Sequence, residues 1–160
     1  MMRFADRADG GRQLAAVVPD AVCGVGDALV VAIVPHGVPV AEPLADALGL
    51  PLTGACLDRE GEPRVTEIPK VGGRTVIVVD DGVETGTAAA LVGLALLDAG
   101  AARLILAVPV CPRQAEPGLA RIYDEIVAID RPLARRGLRW HYADLNTIDE
   151  AEARQRLDAR

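Results

Sequence analysis

Short apolar runs alternate along the chain with longer segments in which apolar residues recur at helical spacing. Five runs suit buried strands of a parallel sheet, and they cover residues 29–34, 51–57, 76–79, 104–110 and 126–129. Helical spacing predicts helices over residues 3–18, 40–48, 87–99 and 116–123. This alternation predicts an α/β fold, with a doubly wound, mostly parallel sheet of about five core strands and helices on both faces.

Turn signals and caps add two more elements. Residues 58–63 have the composition of a turn, and residues 64–68 alternate polar and apolar side chains as a half-exposed strand does. We therefore expect residues 64–68 to form a hairpin strand beside the strand at 51–57. A capping-box pattern at residues 147–150 opens a final helix that continues through residue 157.

Prolines and glycines mark where the helices begin, weaken and end. We expect Pro19 to end the first helix, and Gly10 and Gly11 to weaken its middle. The charged residues of this helix are assigned to the protein surface. Pro43 is acceptable only if it lies in the first turn of its helix. The packing side of the helix over 87–99 is predicted from Leu91, Leu94, Ala95 and Leu97.

Length and charge narrow the class of protein. The 160 residues are long enough for a single domain over 1–160, in which 132–160 form a small C-terminal tail. A formal net charge of −6 disfavours binding to nucleic acid or to an anionic membrane. No apolar run is long enough to span a bilayer and the N-terminus has no apolar signal core, so we expect a cytoplasmic protein.

Rings and thiols are few. Aromatic residues make up 2% of the chain, so the core must consist of aliphatic side chains. The three cysteines, Cys23, Cys56 and Cys111, lack zinc-binding spacing, which predicts buried free thiols in a reducing cytoplasm. Cys111 follows a strand at the carboxyl edge of the sheet, where it could line a pocket. No base lies beside it in the sequence, which makes it a poor nucleophile candidate.

The clearest chemical signal is the stretch 75–89. An apolar strand ends in Asp80 and Asp81, and a turn rich in glycine and threonine leads from them into a helix. Open α/β folds bind ligands at this edge of the sheet. Two carboxylates suit hydroxyls or a metal, and free N–H groups at a helix N-terminus suit a phosphate. The alternative is an acidic strand end followed by an ordinary glycine turn.

This fixed order of strand, acid pair and Thr-Gly turn resembles the type I phosphoribosyltransferases. Residues 4–15 also look like the N-terminal helix of a group of bacterial phosphoribosyltransferase-like proteins. The resemblance implies that Asp80 and Asp81 contact the ribose hydroxyls of 5-phosphoribosyl-1-pyrophosphate and, through water, a Mg²⁺ ion. It implies that the 5-phosphate is wrapped by the turn residues Val83, Glu84, Thr85, Gly86, Thr87 and Ala88.

The same resemblance implies where the diphosphate of the donor lies. The loop after the first strand holds it in the family, and here that loop contains His36 and a single Gly37, one residue shorter than usual. The hairpin residues Arg59 and Arg64 could reach the same group. Alternatively, His36 is an ordinary surface residue, and Arg59 and Arg64 are charges of a solvated turn.

Other residues bear on the acceptor. Glu84 stands immediately before Thr-Gly, as a carboxylate does in purine-salvage members, which implies a catalytic role beside Asp80 and Asp81 and a nitrogenous base as acceptor. Alternatively, Glu84 caps the start of the helix. In the family, the segment after the last core strand forms a hood over the acceptor. Trp140 and Tyr142 would then stack on a planar substrate, unless Trp140 only closes the edge of the core.

These residues lead to a main hypothesis and its competitors. The main one is a Mg²⁺-dependent enzyme that transfers ribose 5-phosphate from 5-phosphoribosyl-1-pyrophosphate to a nitrogenous base or a related small acceptor. A second class is a non-catalytic regulatory protein that binds the donor or a nucleotide. A third is a different α/β domain with a coincidental motif. The sequence leaves open whether the protein forms a homodimer, because helices rich in Ala and Leu do not indicate the number of chains.

Overall fold

Six strands form one sheet in a computed structural model that describes residues 3–22 and 25–160. The strands are β1 (Leu29–Ile33), β2 (Leu52–Asp58), β3 (Arg64–Glu67), β4 (Thr75–Val79), β5 (Arg103–Val110) and β6 (Glu125–Asp130). Their order is β3-β2-β1-β4-β5-β6, and every neighbouring pair is parallel except β2 with β3. This arrangement confirms the predicted sheet and its added hairpin strand.

Helices cover both faces of this sheet. They are α1 (Arg7–Ala15), α2 (Val18–Ala21), α3 (Val38–Leu48), α4 (Thr87–Asp98), α5 (Glu116–Leu119) and α6 (Glu150–Asp158), with a 3-10 helix at Leu138–Trp140. Alternate strand residues point to opposite faces. Ile77 and Val79 therefore pack with the α1 and α3 side, whereas Val76 and Val78 pack with the α4 side. Within the described ranges, no helix is long and apolar enough to cross a membrane.

The first predicted helix is shorter than expected. Asp6 caps α1 by accepting a hydrogen bond from Asp9 N at 2.7 Å, so the helix begins at Arg7. It ends at Ala15, and Pro19 lies in the first turn of α2 instead of ending α1. Proline tolerates a first turn because the N–H it lacks would have no partner there.

Close packing explains the glycines of α1. A Cβ atom on Gly11 would lie 2.1 Å from the carbonyl oxygen of Val40 in α3. The glycine therefore allows the two helices to approach. Pro43 packs at the same contact, and it lies inside α3 and not in its first turn, contrary to the prediction.

The packing side predicted for α4 is wrong in part. Its buried residues are Ala89, Val92, Gly93 and Leu96. Leu94 and Leu97 are 52% and 42% exposed. The helix is apolar around nearly its whole circumference, so helical spacing alone does not select a buried face.

The tail returns to the start of the chain. Phe4 forms a parallel bridge with Tyr142, and their ring centroids lie 5.4 Å apart. Helix α6 is capped by Asp149, which accepts from Glu152 N at 2.8 Å, so it begins later than the predicted capping box implies.

The cysteine prediction is confirmed for two thiols. Cys56 and Cys111 are buried and free. Cys23 lies outside the described residues.

Candidate active site

An open cleft of about 790 Å³ lies at the carboxyl edge of the sheet. Residues from the turn after β4, from α1, from the hairpin and from the tail form its walls. The polar lining residues that matter below are Arg7, His36, Arg59, Asp80, Asp81, Glu84, Thr85, Thr87, Arg139 and Trp140. Most of the residues predicted from the motif are therefore brought to one cleft.

The acid pair forms the buried floor of this cleft. Asp80 and Asp81 are 9% and 5% exposed. Asp80 Oδ1 accepts a hydrogen bond from Asp81 N at 2.8 Å. Burial, and then the neighbouring charge of Asp81, raise the pKa of Asp80 well above its ordinary value. The protonated form of Asp80 is therefore favoured over that of an exposed aspartate.

Asp81 is held from two distant parts of the chain. Arg7 Nε donates to Asp81 Oδ2 at 3.0 Å, and the buried guanidinium also donates through Nη1 to the carbonyl oxygen of Asn146. The hydroxyl of Tyr142 donates to the Asp81 carbonyl oxygen at 2.6 Å. The residues that fix Asp81 are thus far from it in sequence.

Sequence reasoning missed Arg7. Because Arg7 lies on a helix with several other charged residues, it was predicted to lie at the protein surface. The structure shows that this prediction is wrong for Arg7, which is 8% exposed. The available signal was the resemblance of residues 4–15 to relatives of the family. That resemblance did not indicate which charge faces the site.

The turn after the acid pair offers a set of backbone donors. Val83 N donates to the carbonyl oxygen of Val110 at 2.9 Å, so its amide is not available to a ligand. Four other amides donate to no acceptor within residues 3–22 and 25–160, and they belong to Glu84, Thr85, Gly86 and Ala88. The hydroxyls of Thr85 and Thr87 lie 3.1 Å apart beside them. Such a cluster at the start of α4 suits a phosphate.

Glu84 contacts the tail and does not cap α4. Its Oε1 atom accepts a hydrogen bond from Leu138 N at 3.2 Å. The residue at the cap position of α4 is Gly86, and no side chain caps that helix. The alternative explanation of Glu84 as a helix cap is therefore wrong.

The tail segment over the cleft, residues 137–140, is called the hood below. Trp140 is 61% exposed, lines the cleft, and carries the guanidinium of Arg136 at 5.2 Å from its ring centroid. A ring this exposed does not close the core edge. Tyr142 is buried at 2% exposure against Phe4, so the prediction that it stacks on an acceptor is wrong.

The residues predicted to hold diphosphate are only partly brought together. His36 and Arg59 line the cleft. Gly37 N donates to the carbonyl oxygen of Ile33 at 2.8 Å, so the predicted ligand amide is already used within the fold. Arg64 pairs with Asp58 at 3.4 Å and is not part of the cleft wall. The predictions for Gly37 and Arg64 are therefore wrong.

His36 adds little positive charge to this side of the cleft. Burial lowers the pKa of its imidazole. The charge of Asp81 opposes that effect, whereas Arg7 and Arg59 add to it. The uncharged form of His36 is therefore favoured more than in a free histidine.

Cys111 does not line the cleft. Its side chain is buried, and burial raises the pKa of the thiol to about 11. The expectation that it could border a pocket at the sheet edge is wrong. A protonated, enclosed thiol also makes a poor nucleophile, as its sequence context predicted.

The strand, the acid pair and the Thr-Gly turn lie in a region that matches a known family. Residues 9–130 match the phosphoribosyl transferase domain. The chain belongs to this family. The match covers the sheet and the motif and confirms the resemblance seen in the sequence.

Solved structures confirm the fold of this phosphoribosyl transferase domain. The protein TT1426 from Thermus thermophilus superposes with a TM-score of 0.85 at 22% identity, over 98% of each chain. A purine phosphoribosyltransferase from Pyrococcus horikoshii gives a TM-score of 0.62 at 17% identity, over 89% of this chain and 90% of that one. An orotate phosphoribosyltransferase from Aeropyrum pernix gives 0.60 at 27% identity, over 76% and 69%.

Proposed function

We propose that the protein transfers ribose 5-phosphate from 5-phosphoribosyl-1-pyrophosphate to a nitrogenous base. The observation that carries the proposal is the set of unbonded amides of Glu84, Thr85, Gly86 and Ala88, which shares one cleft with the acid pair. In the reaction, the bond between the anomeric carbon and the diphosphate oxygen breaks. A bond from an acceptor nitrogen to that carbon forms, and the acceptor loses a proton.

The donor is bound by its sugar phosphate. The 5-phosphate takes hydrogen bonds from the turn amides and from the hydroxyls of Thr85 and Thr87. Asp81 accepts from a ribose hydroxyl, because the contact with Arg7 orients its carboxylate. Asp80, whose raised pKa favours the acid, stands next to it as a donor or acceptor.

Mg²⁺ fits this cleft as an ion that arrives with the donor. Carboxyl oxygens are its preferred protein ligands, and Asp80 and Asp81 would hold it through water. The described part of the chain contains no cluster of three or more His, Cys, Asp or Glu side chains for a protein-bound metal. When bound, the ion would neutralise charge on the departing diphosphate.

Glu84 and Trp140 suit a flat acceptor with a titratable nitrogen. Glu84 Oε1 bonds the hood at Leu138 N, which leaves the other carboxylate oxygen to accept a proton from the acceptor. The exposed ring of Trp140 offers a stacking surface in the same cleft. The purine and orotate enzymes among the structural relatives act on such bases, and this supports the proposed acceptor class.

The test begins with calorimetric titration of 5-phosphoribosyl-1-pyrophosphate in the presence of Mg²⁺. We expect binding by the natural chain and by the control Arg64→Gln, whose side chain is outside the cleft. We expect none by a variant that carries both Asp80→Asn and Asp81→Asn. Absence of binding by the natural chain overturns the proposal.

A second step separates transfer from regulation. Diphosphate release is measured while purine and pyrimidine bases are supplied one at a time. Release with one base or a related group supports the transferase. Donor binding without release for any base favours the regulatory alternative.

A further inference from the structure

We propose that Arg7 contacts the diphosphate of the donor and so supplies the fixed cation that the shortened loop at His36 lacks. This inference rests on the proposed function. It assigns a further task to a side chain that already forms an ion pair with Asp81 and donates to the carbonyl oxygen of Asn146.

The geometry of the guanidinium leaves donors for this task. An arginine has five N–H groups in a rigid fork. Nε is used by Asp81, and Nη1 donates to the carbonyl oxygen of Asn146. Nη2 donates to no acceptor among the described residues, and it is not one of the side-chain atoms sealed from solvent. Arg7 itself lines the cleft, so Nη2 can meet a ligand there.

Few other groups on this side of the cleft can neutralise a leaving diphosphate. His36 presents an imidazole where a charged fork would be stronger, and the amide of Gly37 is bonded to Ile33 O. Two other arginines line the cleft, but both are exposed: Arg59 lies on the turn between β2 and β3, and Arg139 lies in the hood. Arg7 is buried on the first turn of α1 and is therefore preorganised, which lowers the entropy lost when it binds an anion.

The fork also couples two parts of the donor. Through Nε, Arg7 holds the Asp81 carboxylate that is proposed to accept from the ribose. Its remaining N–H groups are the ones proposed to bind the diphosphate in the same cleft. A guanidinium can serve both at once, whereas a lysine ammonium is a point charge on a flexible stem. The pair of contacts would set the direction in which diphosphate departs from the anomeric carbon.

A merely structural role is the competing explanation. In that case Arg7 acts only through Asp81, by fixing its carboxylate for the ribose. The two explanations predict different diphosphate affinities when both proteins compared carry a neutral residue at position 81. We therefore compare Asp81→Asn with the double variant Arg7→Gln, Asp81→Asn.

The probe is inorganic diphosphate with Mg²⁺, titrated by calorimetry, with ribose 5-phosphate as the second probe. We expect the double variant to bind diphosphate about 10- to 100-fold more weakly than Asp81→Asn, as loss of a charge-assisted hydrogen bond predicts. Binding of ribose 5-phosphate should differ less than about 3-fold between the two, since its phosphate is held by the turn. Equal diphosphate affinities overturn the inference.

Arg7→Lys covers the case in which the Asp81 variants do not fold, because it keeps the buried charge. It should lose diphosphate affinity by about 10-fold or more while ribose 5-phosphate binding stays near that of the natural chain. Weaker ribose 5-phosphate binding with unchanged diphosphate binding would show that Arg7 acts only through Asp81. Arg64→Gln is the matched control for loss of one arginine charge outside the cleft. Failure of the natural chain to bind 5-phosphoribosyl-1-pyrophosphate would instead overturn the proposed function.

Discussion

Asp80 is a carboxyl group that the fold encloses, and its ionisation opposes folding. Its pKa is raised above the ordinary value of 3.8, so the protonated form is favoured in the native state. The resulting contribution to stability is complete below about pH 3.8 and is lost as pH rises through the native pKa. The carboxyl group of Asp80 therefore lowers the stability of the fold near neutral pH, although the proposed function requires it.

We expect Asp80→Asn to raise the melting temperature at pH 7.5. A neutral amide keeps an oxygen for Asp81 N and removes the desolvated charge, for a gain of about 1 to 3 kcal/mol. The difference from the natural chain should shrink as pH falls toward 4. Thermal unfolding at both pH values measures it, and a pH-independent difference would contradict the titration of Asp80.

Asp81→Asn should act in the opposite direction. It removes the partner of a buried guanidinium and leaves Arg7 uncompensated, which typically costs about 3 to 5 kcal/mol. Denaturant unfolding of the single variant, beside Asp80→Asn, measures the contrast. Stabilisation by both substitutions would show that the Arg7 ion pair is not formed in solution.

Glu84 is the residue whose chemistry can be separated from its structural contact. In Glu84→Gln the amide oxygen still accepts from Leu138 N, but the side chain no longer takes a proton. We expect kcat for transfer to fall about 100-fold or more, with donor affinity unchanged. Steady-state kinetics with the active base and calorimetry with the donor test the two halves. Unchanged kcat would remove Glu84 from the proton transfer.

At the scale of elements, α1 reaches the cleft because it packs unusually close to α3. Gly11 permits this approach, since a Cβ there would meet the backbone of Val40. Arg7 lies one turn earlier on the same helix, so the helix position determines where its guanidinium lies. A side chain at residue 11 would therefore disturb both packing and the site.

We expect Gly11→Ala to destabilise the protein by about 1 to 3 kcal/mol through overpacking. Gly118→Ala is the matched control, because Gly118 also lies in a helix, α5, and nothing lies within 4 Å of its added Cβ. That control should be neutral or stabilising by about 0.5 to 1 kcal/mol, from helix propensity. Denaturant midpoints give both values. An equal effect of the two substitutions would show that contact with α3 is not the cause.

At the scale of the whole molecule, the cleft joins distant parts of the chain. Asp81 lies after β4 at the centre of the sheet, Arg7 comes from the first helix, and Tyr142 comes from the tail. A ligand bound to Asp81 therefore contacts a residue that is held by both the first helix and the tail. Binding should therefore stabilise the entire fold.

A saturating donor provides the test of this coupling. At a concentration about 100 times Kd, binding adds about 2.7 kcal/mol of stability, or a rise of about 5 to 10 °C for a chain of this length. Thermal unfolding with the donor and Mg²⁺ measures the shift. The variant with both Asp80→Asn and Asp81→Asn should show none, and hydrogen exchange should slow in α1 and in the hood. Protection limited to the turn after β4 would contradict the coupling.

Local sequence patterns were enough to predict the sheet, the acid pair and the Thr-Gly turn. These depend on local patterns, because a buried parallel strand is apolar throughout and a strand end, a Thr-Gly turn and a helix start follow one another within residues 75–89. The residues proposed to hold the ribose and its 5-phosphate are therefore contained in one continuous stretch. The family match over residues 9–130 agrees with it.

Which other residues line the cleft depends on contacts between distant segments and could not be predicted from local patterns. Arg7 enters the cleft and Arg64 leaves it, although both are arginines in polar segments. Trp140 is exposed over the cleft and Tyr142 is buried, although they are two residues apart. These outcomes depend on how helices and tail pack against the sheet, and contacts between distant segments leave no periodic signal in the residues that make them.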